Sequence, residues 1–166
     1  MTTSSVTRSI EIDAPIEEVF AFVSDPQRRI QALAPALGRR IVVSDVETSP
    51  EGLVTSWKWT TQFLLPLPYH AVATRTEHIA NQRILEKHST PTRDVDAFTF
   101  EPSGNGTRLT YYAQCSSPIP LLEKVGILLA AKGKSYGRQI EDRLAQVKQQ
   151  VEASPESERV EPPQNP

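Results

Sequence analysis

Cysteine is all but missing from these 166 residues. Cys115 stands alone, so no internal disulfide can form and the fold must rest on an apolar core. A lone thiol suits a reducing cytoplasm, the compartment expected for the chain. Charge of one sign is missing too. Eighteen basic residues face 20 acidic ones, and the surplus of −2 sits in Ser154–Pro166, which holds three Glu and one Arg. The rest balances at 17 against 17. Such a domain sets up no field that would gather nucleic acid, which is not expected as a partner. Long apolar runs are lacking as well. The longest, Val125–Ala131, has seven residues with Gly126 among them, where a membrane span needs about 20. Met1–Asp13 has no apolar stretch of secretory type. No transmembrane segment is expected.

Familiar chemical signatures are also absent. There is no nucleophile motif, no phosphate loop and no dinucleotide fingerprint. His70, His78 and His88 are spaced too widely for a local metal motif, and Cys115 adds no ligand at useful spacing. Neither a metal nor a cofactor is expected.

What is present is a change of period, twice. Val6, Ile10 and Ile12 share one parity of a strand over Ser4–Ile12, with Arg8 interrupting the row. Asp13 is placed to cap a helix and Pro15 suits its first turn. Ile16, Val19, Phe20 and Val23 then form one helical stripe. Asp25-Pro26 ends that helix, and a second short one is expected over Gln27–Ala34, before Pro35. From Arg40 the period becomes two. Strands are expected over Arg40–Thr48, Leu53–Phe63, Tyr69–Ile79, Arg83–Ser89, Arg93–Glu101 and Thr107–Ser116. Ser103-Gly104-Asn105-Gly106 is a hairpin signal.

From Leu121 to about Ala153 the period returns to 3.6. Val125, Leu129, Tyr136, Ile140, Leu144, Val147 and Val151 form its seam, with Gly133 and Gly137 beside it. Two glycines at this spacing suggest close approach by a strand or a ligand, with a mild kink of no function as the alternative. Pro, Glu and Ser dominate after Ala153, so a disordered tail over 154–166 is expected behind one domain over 1–153. The order is one strand, two short helices, six strands and one long helix. Hairpin connections imply an antiparallel sheet, hence an α+β fold. A sheet of this length curls, and only the long helix is large enough to cover its concave face.

Three stretches carry a likeness to a known family. VTRSIEIDAPIEEVFAFVSDPQRR (6–29), FTFEPSGNGTRLTYYA (98–113) and IEDRLAQVKQQVE (140–152) resemble the START/Bet v 1-like (SRPBCC) superfamily, in particular its bacterial polyketide cyclase/dehydrase-like branch. The resemblance implies the helix-grip fold, a seven-stranded antiparallel sheet wrapped on a long C-terminal helix with a cavity between. It implies an apolar ligand such as a lipid, a sterol or an aromatic polyketide. In some members it implies ring closure or dehydration.

Candidate residues follow from parity. Trp57, Trp59 and Phe63 share one face, as do Phe98 and Phe100, and as do Leu109, Tyr111 and Ala113. Together with Leu129, Gly133 and Tyr136 on the long helix, they are candidates to line an apolar pocket; ordinary core packing is the alternative. Buried indole N–H groups would need partners, and a ligand oxygen is one choice. If Phe98 and Phe100 point inward, so do Asp94 and Asp96, and a carboxylate there could serve as a proton donor or pair with Arg75; solvent exposure at a frayed strand end is the alternative. His88 is a candidate acid or base, with a surface position as the alternative. Arg75 is a candidate partner for a carboxylate, on a strand whose parity is ambiguous. Lys132, Lys134 and Arg138 read as a solvated helix face.

Three functions compete. They are a carrier of an apolar small molecule, a cofactor-independent polyketide cyclase or dehydratase, and a protein-interaction module. Convergence of His88 with Asp96, or of Arg75 with a carboxylate, would favour the enzyme. A wholly apolar cavity would favour the carrier, and a filled core the interaction module. The oligomeric state is open.

Overall fold

The computed structural model describes residues 2–37, 41–62, 68–89, 93–117 and 135–153. Seven strands form one sheet: β1 (Thr2–Ile12), β2 (Ile41–Thr48), β3 (Val54–Gln62), β4 (Pro68–Ile79), β5 (Arg83–Ser89), β6 (Arg93–Ser103) and β7 (Gly106–Ser117). Helices α1 (Ile16–Ser24) and α2 (Pro26–Leu37) follow β1, and α3 (Tyr136–Glu152) ends the described chain. The strand order is β1-β7-β6-β5-β4-β3-β2, every pair antiparallel. Each hairpin therefore pairs neighbours in sequence, and β1 closes onto β7. This is the α+β helix-grip architecture. The pocket residues expected at Phe63, Leu129 and Gly133 lie outside the described residues, as do the first turns expected for the long helix and the segment 154–166.

Local chemistry explains most boundaries. Asp25 Oδ1 accepts from the backbone N–H groups of Gln27 and Arg28 at 2.9 and 3.1 Å, so the residue that ends α1 also caps α2. Asp13 does not cap α1. Pro15 holds that position without a side-chain bond, its carbonyl taking Glu18 and Val19, while the Asp13 N–H donates to Glu152 on α3. Helix α2 runs on past Pro35 to Leu37, because a proline this late in a helix costs one ladder bond near an end that frays anyway. Asn81 and Gly104 take positive φ at the tips of the β4–β5 and β6–β7 hairpins.

The core lies on the inward face. Ile12, Val19, Phe20, Val23, Ile84, Phe98, Phe100, Leu109, Ile140, Leu144, Val147 and Val151 pack as one cluster there. The seam residues of α3 from Ile140 to Val151 are all buried, and the helix crosses beside β1 and α2. Arg8, which interrupts the apolar row of β1, lies over Gly137. A Cβ at Gly137 would meet the Arg8 Nη2 at 2.6 Å, and the guanidinium pairs with Glu141 at 2.8 Å. The room left by Gly137 is thus taken by a strand's side chain.

Candidate functional site

Strand β4 settles its own ambiguous parity with a bulge. Arg75 pairs with Glu86, but Glu77 pairs with Leu85, so one residue is extra at Thr76. Before the bulge the odd residues Ala71, Ala73 and Arg75 are buried, and after it His78 turns inward to Phe20, ring centroids 5.1 Å apart. The odd face is inward before the bulge and the even face after it, so Val72 and Ile79, which spoke for opposite faces, are both exposed.

Arg75 thereby meets a carboxylate. On β5, Glu86 shares the inward parity of Ile84 and is fully buried. Its Oε1 takes Arg75 Nη2 at 2.9 Å, and its Oε2 takes Arg29 Nη2, from α2, at 2.6 Å. The two guanidiniums also serve the end of α1: Arg29 donates to the Val23 carbonyl and Arg75 to the Ser24 carbonyl, both at 2.9 Å. Trp57 lies against both cations, 5.8 Å from Arg29 and 5.4 Å from Arg75, and Arg29 also covers the Phe98 ring at 4.9 Å. Burial acts to lower both arginine pKa values. For Arg29 the charge and hydrogen bond of Glu86 outweigh it and the net shift is upward. For Arg75 burial prevails, Glu86 opposing it and the Arg29 charge adding to it. This group is a structural clamp that ties α1 and α2 to the sheet.

A second polar group adjoins the clamp. The register runs His88↔Asp94 and Glu86↔Asp96 between β5 and β6, so four polar side chains face inward in two adjacent rows. His88 Nε2 stands 3.1 Å from Asp96 Oδ2. Its Nδ1 faces the Trp59 indole N–H at 3.4 Å, a bond that the neutral imidazole with its proton on Nε2 accepts and the imidazolium does not. The Tyr111 hydroxyl is turned to Asp96 and accepts from Arg143 Nη1 of α3 at 3.2 Å. Polar side chains from β3, β5, β6, β7 and α3 therefore stand near one another.

The charges in this run bias one another. Burial pulls the His88 pKa down, but the contact and charge of Asp96 prevail and hold it above its ordinary value. Burial pushes Asp96 up, but His88 and Arg143 bring it below the ordinary carboxylate value. Burial and the Asp96 charge push the Tyr111 phenol well up. Burial and Asp96 likewise raise Tyr136, which neighbours Arg143, Asp94 and Cys115 as well. The group can thus hold a carboxylate, a titrating imidazole and two protonated phenols side by side.

The surroundings leave it partly open. Ala71, Ala73 and Ala113 are the inward residues beside Trp59, His88 and Asp96 in the register, so the floor there is low. Asp96 faces inward and yet keeps 21% of its side-chain surface open. Trp59, Asp94, Tyr136 and Arg143 are half-buried. Toward α1 the same face is filled: Phe98 stacks on Tyr111 at 4.5 Å and Phe100 meets Phe20 edge-on at 5.1 Å.

Among the described residues the expected candidates therefore divide. His88, Asp96, Trp59, Tyr111 and Tyr136 come together in the polar run. Arg75 and Trp57 join the clamp, while Phe98 and Phe100 pack in the core. His70 is exposed and bonds Thr60. Sequence reasoning misses three participants. Glu86 carries a signal as a charge sharing the parity of Ile84, and Arg143 carries one as a charge beside the Ile140–Leu144 seam. Arg29 carries none. No cluster of His, Cys, Asp and Glu suited to a metal occurs among the described residues. No helix there is long and apolar enough to cross a membrane.

Comparison with known proteins agrees with this fold. Residues 3–152 match the family model described as polyketide cyclase / dehydrase and lipid transport. A protein of Thermus thermophilus superposes with a TM-score of 0.64 at 19% identity, over 90% of this chain and 98% of its own. A START superfamily protein from Mycobacterium smegmatis gives 0.64 at 15% identity, over 89% and 97%. A protein in the dynemicin biosynthetic locus gives 0.55 at 15% identity, over 90% of this chain and 47% of that one. No curated protein matches the chain by sequence.

Proposed function

The chain belongs to the polyketide cyclase / dehydrase and lipid transport family, and from that premise we propose that it holds an apolar small molecule against the inward face of its sheet and performs cofactor-independent acid–base chemistry on it. The observation that carries this reading is the 3.1 Å approach of His88 to Asp96 on the inward face, beside the apolar core cluster. A carrier of hydrocarbon has no use for an imidazole, a carboxylate, two phenols and a guanidinium in one place, because each is costly to bury. Proton transfer at carbon has a use for all of them. The His88–Asp96 pair can take a proton from a carbon beside a carbonyl and return it to a leaving hydroxyl, which departs as water. Tyr111 and Arg143 supply donors where the enolate oxygen gathers charge. The low alanine floor and the half-buried Trp59 and Tyr136 provide flat apolar walls for a ring. The setting is the cytoplasm, in keeping with a Cys115 that forms no disulfide.

The test uses 2-tetralone, an apolar aromatic ketone whose protons next to the carbonyl exchange with D2O. The protein should accelerate that exchange, followed by NMR. His88→Gln and Asp96→Asn should each return it toward the rate in buffer, by about 10²-fold or more. A second reading, carriage without chemistry, is favoured by the Trp59 indole N–H, which occupies the lone pair of His88 Nδ1. It predicts that tetralone binds, as seen by tryptophan quenching, and exchanges no faster than in buffer.

A further inference from the structure

One hydrogen bond at the proposed site depends on the charge of its acceptor. Trp59 Nε1 donates to His88 Nδ1 at 3.4 Å, across rings tilted by 68° with centroids 6.5 Å apart, so the two meet at their nitrogens and do not stack. The indole nitrogen can only donate, so Nδ1 must present a lone pair to it. On the other side His88 Nε2 stands 3.1 Å from Asp96 Oδ2, and the carboxylate favours a proton on that nitrogen. A neutral ring with its proton on Nε2 suits both neighbours. An imidazolium still suits Asp96 but turns a second N–H against the indole N–H. Asp96 thus holds the ring charged, and Trp59 holds it neutral. The Trp59 bond is longer than the usual range. Trp59 is also half-buried, where Trp57 is 1% exposed. A released Trp59 N–H therefore has water to turn to.

Resting on the reading of His88 as a proton acceptor, we infer that Trp59 is a positioning residue that gates proton uptake at His88: its indole caps Nδ1 of the neutral ring and withdraws when that nitrogen takes a proton. The neutral ring has its one lone pair on Nδ1. A proton leaving a ligand carbon must therefore arrive where the indole N–H stands, the carbon keeping the electron pair. The charged groups around the ring act from other sides. Asp96 on β6 and Glu86 on the same strand favour the imidazolium, and Arg29 from α2 opposes it. Asp94 lies across from His88 in the register, and Arg75 of β4 is bound to Glu86. Tyr111 of β7 and Arg143 and Tyr136 of α3 bear on Asp96. The β4 residue paired with His88 is Ala73, which brings no charge. Trp59 therefore sets both the nitrogen that handles the proton and the pH at which it does so.

NMR reads the gate directly. Above the His88 midpoint the Trp59 indole N–H should show an NOE to the His88 Hε1, the ring proton beside Nδ1. Below the midpoint that NOE should vanish while the fold persists. Trp59→Phe removes the bond that favours the neutral ring, so the His88 midpoint should rise, by about 0.5–1 pH unit, the worth of one ordinary hydrogen bond. In 2-tetralone exchange the midpoint of the pH profile should rise by the same amount in this variant. A wall residue with no hold on Nδ1 would leave that profile in place. An NOE that persists unchanged through the midpoint overturns the inference, as does an unchanged or lowered midpoint in Trp59→Phe. The NOE in the parent protein decides the matter should the variant not fold. If the parent does not accelerate exchange, the proposed chemistry falls, and the NOE and the His88 midpoint still decide whether Trp59 governs this nitrogen.

Discussion

Arg29 reaches from α2 to within 2.6 Å of Glu86 on β5, and both side chains are cut off from solvent. The carboxylate also holds Arg75, so one negative charge offsets two positive ones inside the fold. Removing it should be severe. Glu86→Gln leaves two guanidiniums buried without their counter-charge and should cost about 3–5 kcal/mol, the usual result of breaking a buried pair from one side. Urea denaturation measures it. A loss under about 1 kcal/mol would show that water already compensates these cations.

Two glycines should respond in opposite ways to alanine. At Gly106 a Cβ would lie 2.2 Å from the Ile12 carbonyl oxygen, and that atom belongs to the backbone of β1, which cannot swing aside. Gly106→Ala should cost about 1–3 kcal/mol, the range of an overpacked core. At Gly137 the obstacle is the far end of the flexible and half-exposed Arg8. Its surface pair with Glu141 contributes little, and alanine is the better helix former. Gly137→Ala should therefore lie within about 1 kcal/mol of the parent. Equal losses at both positions would contradict this assignment of the contacts.

The contrast also shows what the sequence could reveal. The element order and strand ranges were legible because parity and turn residues report burial directly. Val6, Ile10 and Ile12 mark β1, and Thr107 to Ser116 marks β7 almost residue for residue. The site was legible only where it obeyed the same parity. Asp94 and Asp96 follow from Phe98 and Phe100. The side taken by Arg75 did not follow, because the extra residue at Thr76 reverses the parity of β4 and no residue type announces a bulge. Arg29 was invisible for another reason. Its partner lies 57 positions away, and a helix pattern says nothing of a contact made across the fold. Gly137 reads as room for a strand or a ligand, and the strand has it.

The His88–Asp96 pair should make stability depend on pH from both sides. His88 is raised above 6.5 on folding, so its contribution is complete below that pH and is lost as the pH rises through the folded value. Asp96 is lowered below 3.8, so its contribution is present above that pH and is lost as the pH falls through the folded value. Between the two edges the pair is ionised and contributes most. An NMR titration of the His88 ring should thus give a midpoint above 6.5. In Asp96→Asn the main attraction is gone, burial prevails, and the midpoint should drop below 6.5. An unchanged midpoint would mean that Asp96 does not govern this histidine.

Tyr111 separates packing from chemistry within one side chain. Its ring stacks on Phe98 at 4.5 Å with the planes 18° apart, and its hydroxyl takes the Arg143 donor at 3.2 Å. Tyr111→Phe keeps the stack and deletes only the hydroxyl. The Arg143 head group loses an acceptor, and stability should fall by about 1–3 kcal/mol, the cost of stranding a buried donor. The ring surface offered to a ligand is unchanged, so tetralone should still quench tryptophan emission with affinity within about threefold of the parent. The exchange reaction should suffer more. If Tyr111 and Arg143 together receive the enolate oxygen, losing the phenol removes one donor from the transition state and costs about 10²-fold in rate. Binding kept with exchange lost assigns Tyr111 to the chemistry. Binding and exchange both kept would leave it as a packing residue, and the proton transfer would then rest on His88 and Asp96 alone.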